Sequence, residues 1–189
     1  MESPLVALFQ LIDAFKNLGV DYVVVGSLAS SLHGDYRASA DIDVLARLSA
    51  KHVHPLVNAL GGNFYIDDLA VTRAIAQGRS FNVIHLAGIF KIDIFIPTTD
   101  LDNQQITRRQ LHTIEADGPR EIWIATAEDT ILAKLRWFRT GKEVSELQWR
   151  DVKGILATQR SGLDLDYLRS WAERVAVSDL LERAMKEIE

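Results

Sequence analysis

The sequence predicts a mixed α/β (α+β) protein, with a twisted mixed sheet and flanking helices followed by a helical C-terminal part. Three observations carry this reading. Through the first 125 residues, short apolar runs of strand length alternate with segments of helical period. Two of those runs, Phe81 to Leu86 and Phe90 to Ile96, flank a turn at Gly88 and read as a hairpin. Beyond residue 125 only helical periodicity remains, over about 126–140, 145–159, 164–176 and 178–188. The chain is therefore divided into 1–125 and 126–189.

The elements follow in order. Leu5, Leu8, Phe9, Leu11, Ile12, Phe15 and Leu18 recur at helical spacing, and Gly19 sits where a C-cap glycine ends a helix. Tyr22 to Val25 reads as a buried strand, broken by Gly26 and Ser27. Leu28 to Leu32 reads as a short helix, ended by His33 and Gly34. Asp41 to Leu45 alternates acid and apolar residues at strand period. A helix from about Ala50 to Leu60 stops at Gly61 and Gly62, and another covers Asp67 to Ala76. Pro97 closes the second hairpin strand. Thr98 to Pro119 is polar and yields no assignment, and Glu121 to Ile124 is a last strand. Thr126 with Asp129 resembles a capping box at the start of the helical part.

Composition narrows the function. With 189 residues and 48% hydrophobic content, the chain can bury a sizeable core. The absence of cysteine excludes disulfides and thiolate zinc sites, and His52 and His54 lack a partner cluster. A net charge of −5 argues against a basic coat for bulk nucleic-acid binding, while leaving room for a local basic cleft. The first 25 residues carry no signal-like segment, and the apolar runs are too short to span a bilayer. A soluble, cytoplasmic protein without membrane association is expected.

The chemistry concentrates in three short segments: Val25-Gly26-Ser27, Asp41-Ile42-Asp43-Val44 and Lys91-Ile92-Asp93-Ile94. Residues two apart on a strand share a face, so Asp41 and Asp43 project together while Ile42 and Val44 enter the core. Paired carboxylates beside an apolar sheet cost several kcal/mol unless a cation compensates them. Mg²⁺ or Mn²⁺ suits such a hard oxygen set. If the strand of Asp93 lies alongside, three carboxylates can hold two metals about 4 Å apart, as in-line phosphoryl transfer requires. Asp93 is also a candidate base for an attacking hydroxyl. Gly26 and Ser27 form a strand-to-helix turn whose N–H groups and hydroxyl suit a phosphate, with glycine allowing close approach. Arg37 stands between this turn and the aspartates. The plain alternative for each segment is a solvated strand face or an ordinary turn.

Together these segments resemble the nucleotidyltransferase superfamily related to DNA polymerase beta. Its motif is Gly-Gly or Gly-Ser, a spacer, Asp-x-Asp or Asp-x-Glu, and a third acid on a later strand. The stretch Gly26-Ser27-x-Ala29, His33-Gly34, Arg37-x-Ser39 and Asp41-Ile42-Asp43 is most similar to small bacterial AbiEii-type toxins. Their helical lysine and their basic–Asp pair would correspond to Lys134 and Arg150-Asp151. The resemblance implies a nucleotidyltransferase-like catalytic domain over 1–125 that transfers a nucleoside monophosphate from an NTP such as ATP to a hydroxyl. Asp41, Asp43 and Asp93 would be catalytic and metal-binding, and Gly26, Ser27, Arg37, Lys91 and Lys134 nucleotide-binding. The acceptor would be a tRNA end, a protein hydroxyl or a small molecule such as an aminoglycoside, and an antitoxin partner would follow from the toxin branch. A catalytically silent nucleotide-binding or interaction module is the alternative.

Other residues read two ways. Lys91 either contacts phosphate or serves as a counter-ion to the aspartates. Lys134 and Arg136 are either solvated charges of an amphipathic helix or, for Lys134, a reach to the triphosphate. Asp129 stabilises a helix N-terminus, and Trp123, Trp137, Trp149 and Trp171 fit helix and strand packing, with base stacking by one of them as the alternative.

Overall fold

Alternation along the strands gives the sheet two apolar faces, each of which needs a helical cover. A computed structural model describes residues 3–36 and 41–188. Among them are strands β1 (Tyr22–Val25), β2 (Ile42–Ala46), β3 (Phe64–Tyr65), β4 (Ser80–His85), β5 (Phe90–Phe95), β6 (Gln110–Ala116) and β7 (Gly118–Ile124). They form one sheet in the order β3-β4-β5-β2-β1-β7-β6. The pairs β2/β5 and β1/β7 are parallel, and the remaining neighbours are antiparallel.

On one face Val24, Ile42, Val44, Ile92 and Ile94 point into the main core. Helix α1 (Pro4–Leu18) covers it, with Ser3 as N-cap, Pro4 in the first turn and Gly19 closing the helix at φ 66°. Leu8, Leu11, Ile12 and Phe15 of α1 are fully buried. Each such side chain stabilises the fold by about 1.5–3 kcal/mol. A 3-10 turn (Ala50–His52) leads into α3 (Val53–Leu60), which packs on α1 and α4 (Asp68–Gln77).

The opposite face carries Val23 and Leu45, packed with Ala125 and with Ile106 of α5 (Asp100–Arg108). Helices α6 (Ala127–Thr140), α7 (Glu146–Thr158), α8 (Leu165–Arg174) and α9 (Ser178–Lys186) build a second core around Ile131, Leu135, Phe138, Val152 and Leu168. Phe138 and Trp149 stack within it at 5.1 Å. Helix α2 (Gly26–His33) bridges sheet and helices by contacting β1, β2, α6 and α7. His33 donates from Nε2 to the Ala125 carbonyl at 2.7 Å, and Gln159 Nε2 donates to the His33 carbonyl at 2.9 Å. His33 is thus a buried tether between α2 and the entry to α6.

The polar stretch that resisted assignment forms α5, β6 and the start of β7. Helix α5 starts with a full capping box. Thr99 Oγ1 accepts from the Asp102 N–H at 3.2 Å, and Asp102 Oδ2 accepts from the Thr99 N–H at 2.9 Å. Strand β6 is an edge strand with a largely exposed side-chain pattern, so it lacks the apolar run of an internal strand. Among the described residues no helix is long and apolar enough to cross a membrane.

Candidate active site

The aspartates meet through strand register. Asp43 on β2 stands directly beside Asp93 on the parallel strand β5, and the row continues to Val25 on β1 and Asn82 on β4. In-register neighbours on adjacent strands share a face about 4.8 Å apart. Asp43 and Asp93 therefore project together on the face that carries Leu45, opposite the main core. Asp41 lies just before β2 and is exposed.

Burial first, then the charges of Asp93 and Asp41, push the Asp43 carboxyl up from 3.8 to about 6, against the opposing pull of Lys134 and Lys91. The three acids are thus coupled electrostatically. Among the described residues no group of three or more His, Cys, Asp or Glu side chains is already placed to hold a metal ion. At Asp93, Oδ2 is held by Lys91 Nζ at 2.8 Å. Lys91 is the counter-ion of Asp93, whose hydrogen bond raises the lysine pKa. The donor chemistry nonetheless fits a hard divalent cation, since burial and acid–acid repulsion at Asp43 are what such an ion offsets.

Gly26 opens α2 at φ +63°. A β-carbon there would meet Asp43 Oδ2 at 2.0 Å and its Cγ at 2.8 Å. Besides any close approach of a phosphate, glycine at this position makes room for the Asp43 carboxylate. Ser27 follows in the first turn of α2, whose N-cap, Val25, supplies no side-chain cap. Arg37 and Ser39 lie outside the described residues.

Lys134 is not a solvated charge. It is 4% exposed, and its ammonium donates to Asp151 Oδ2 at 2.8 Å and to Gln148 Oε1 at 3.1 Å. Ser30 Oγ donates to the same Asp151 oxygen at 3.4 Å, joining α2 to this pair. Arg150, beside Asp151, is exposed.

Asp43 and Lys134 line a cleft of about 730 Å³ between the acid-bearing face and α6, whereas Asp41, Asp93 and Asp151 are not among its lining residues. Gly26, Ser27, Asp43 and Lys134 form one part of its wall; Arg79, Thr98, Thr99, Asp102, Gln105, Arg136 and Trp137 contribute to the rest. Arg136 donates to Thr99 Oγ1 at 3.3 Å and lies 3.9 Å from Asp102. The α5 contribution escaped the sequence reading, although Thr99 and Asp102 at capping-box spacing announce a helix start. Trp137 also departs from expectation: it is 61% exposed and lines the cleft instead of packing in a core.

Behind the cleft lies a buried polar cluster. Thr126 caps α6 by accepting from the Asp129 N–H at 3.2 Å, but the Asp129 carboxylate turns away and accepts from the Tyr167 hydroxyl at 2.5 Å. The Arg108 guanidinium covers the Tyr167 ring at 3.4 Å and reaches Glu128 at 3.4 Å. Helices α5, α6 and α8 are pinned together here.

No family model and no curated protein matches the chain. Solved structures do. An antigenic nucleotidyltransferase-like protein from Paracoccidioides brasiliensis superposes with a TM-score of 0.52 at 13% identity, covering 98% of this chain and 94% of that one. The antibiotic-resistance factor ANT(2'')-Ia in solution also gives 0.52, at 16% identity, covering 97% and 99%. The same factor in complex with adenylyl-2''-tobramycin gives 0.52 at 13% identity, covering 89% and 96%. The chain has a nucleotidyltransferase-like fold.

Proposed function

We propose that this protein is a divalent-metal-dependent nucleotidyltransferase that moves a nucleoside monophosphate from an NTP to a hydroxyl. The supporting observation is the register of Asp43 with Asp93 on adjacent parallel strands, where Asp43 lines the cleft and Gly26 makes room for its carboxylate.

Asp41, Asp43 and Asp93 would hold Mg²⁺ or Mn²⁺, which when bound neutralises triphosphate charge and eases ionisation of the attacking hydroxyl. The turn at Gly26 and Ser27 presents backbone N–H groups to the phosphates. Lys134, held by Asp151, adds a fixed positive charge near Asp43. Lys91 holds one oxygen of Asp93 and leaves the other to accept a proton. The acceptor oxygen bonds to the α-phosphorus, the bond from that phosphorus to the bridging oxygen of pyrophosphate breaks, and the hydroxyl proton passes to Asp93. Arg37, from its place in the sequence, is assigned to the phosphates as well. Residues 1–125 would form the catalytic domain and 126–189 the helical region that supplies Lys134. An NTP donor goes with a cytoplasmic setting.

A narrower reading places the chain in the AbiEii-type branch, as a toxin with an antitoxin partner and an RNA or protein acceptor. The contact between Lys134 and Asp151 favours it, because these are the residues that match the helical lysine and basic–Asp pair of that branch. Hydroxyls of a small molecule, such as the tobramycin adduct of ANT(2'')-Ia carries, are the other acceptor class.

The test is incubation with each of the four labelled NTPs, Mg²⁺ or Mn²⁺, and total RNA, protein extract or an aminoglycoside. Label transfer that disappears in Asp43→Ala and Asp93→Ala supports the assignment, and transfer that survives both removes it. NTP binding without pyrophosphate release would instead identify a silent nucleotide-binding module.

A further inference from the structure

Helix α6 turns one stripe toward the cleft: Thr130, Ala133, Lys134, Trp137 and Thr140, at the i, i+3, i+4, i+7, i+10 spacing of a single helix face. The stripe is graded. Lys134 is buried and lies within electrostatic reach of Asp43. Trp137 lies one turn on, about 4.5 Å further along the axis, and is 61% exposed. Trp149 and Trp171 are each 8% exposed and belong to the helical core. Among the described residues that line the cleft, Trp137 alone is a large exposed apolar side chain. An NTP has matching ends: a polyanion that seeks cations and N–H donors, and a flat base that seeks a π face.

We infer that Trp137 is the stacking platform for the nucleobase of the donor NTP, which extends along α6 from Lys134 toward the cleft mouth. This rests on the nucleotidyltransferase reading and assigns a further binding residue to it. Stacking on an indole accepts any base, so Trp137 supplies affinity for the base while leaving its identity to other groups.

The test uses the full chain with Mg²⁺ and compares wild type, Trp137→Phe and Trp137→Ala. Binding of ATP, of inorganic tripolyphosphate and of a short single-stranded RNA is measured by calorimetry, with intrinsic tryptophan fluorescence as the contact readout. ATP should quench the wild-type emission, and most of that quenching should vanish in both variants. Trp137→Ala should weaken ATP binding by about 5- to 150-fold, the equivalent of about 1–3 kcal/mol of base stacking, while Trp137→Phe retains most of it. Tripolyphosphate, which has no base, should bind all three proteins alike. If tripolyphosphate binds and Trp137→Ala holds ATP as tightly as wild type, the platform is overturned and the site reading stands. If RNA loses affinity in Trp137→Ala and ATP does not, the indole serves the acceptor and the inference is overturned. If neither ATP nor tripolyphosphate binds wild type, the nucleotidyltransferase reading fails and takes the platform with it.

Discussion

Asp43 Oδ2 occupies the space that a β-carbon on Gly26 would fill, 2.0 Å from its ideal position. The turn and the carboxylate are therefore built as one unit. Alanine at position 26 would carry a left-handed φ of +63°, a strain of about 1–2 kcal/mol, and would also displace Asp43. Gly26→Ala should lower stability by at least about 2 kcal/mol in a chain of this size, seen as a fall of about 4 °C or more in Tm. Nucleotide transfer should fall with it. In an Asp43→Ala background the same substitution should cost less, because the 2.0 and 2.8 Å clashes are gone and only a tight 3.0 Å contact with the β-carbon of residue 43 and the backbone strain remain. Equal losses in both backgrounds would show that the two residues are not coupled.

Asp43 also sets a pH dependence. Its carboxyl titrates at about 6 in the fold against 3.8 ordinarily. The folded state therefore binds this proton more tightly than the unfolded chain. The associated stability is fully present below about pH 4 and is lost as pH rises through about 6. Asp43→Asn carries no charge at any pH. In EDTA it should match wild type near pH 4 and exceed it above pH 6, by at most about 3 kcal/mol. Thermal unfolding across that range measures the gap, and added Mg²⁺ should narrow it. A gap that widens toward low pH would reverse the sign of the argument.

How much of this was legible in the sequence depended on the kind of signal. The strand of Asp43 could be read because Ile42 and Val44 alternate with it, and the helix of Leu8 and Phe15 because its apolar stripe ends at Gly19. The neighbouring of Asp43 and Asp93 could only be conditional, since parallel register across a crossover leaves no local mark. The cover over the acid-bearing face was missed. Helix α5 offers only Leu101, Gln105 and Ile106 as buried residues in a polar stretch, so its hydrophobic period is weak and only its cap betrays it. The burial of Lys134 was equally hidden, because its partner Asp151 lies on another helix.

That pair separates stability from function. Lys134 and Asp151 side chains are each only 5% exposed. Asp151→Ala removes the carboxylate from a buried ammonium, a change that costs about 3–5 kcal/mol, measured by chemical denaturation. Replacing both partners, Lys134→Met with Asp151→Leu, should recover most of that loss, because apolar neighbours satisfy each other where a lone charge does not. Activity should not return with stability, since the positive charge near Asp43 is absent. A double variant that regains both would assign Lys134 a purely structural role.

The Tyr167–Asp129 contact offers a final test, away from the cleft. Asp129 is wholly buried, and burial raises its pKa while the Tyr167 hydroxyl lowers it. Tyr167→Phe keeps the ring beneath the Arg108 guanidinium and deletes only the donor. The carboxylate then loses its close hydroxyl partner, at a cost of about 1–3 kcal/mol. Asp129→Asn should be milder at neutral pH, because a neutral amide is cheaper to bury and its oxygen still accepts from Tyr167. The two substitutions should fall short of additivity when combined, with a coupling of about 0.5–3 kcal/mol in a denaturant double-mutant cycle. Strict additivity would mean that the hydroxyl and carboxylate are not coupled, and that α6 and α8 are held together here by other contacts, such as the Arg108 guanidinium between Glu128 and the Tyr167 ring.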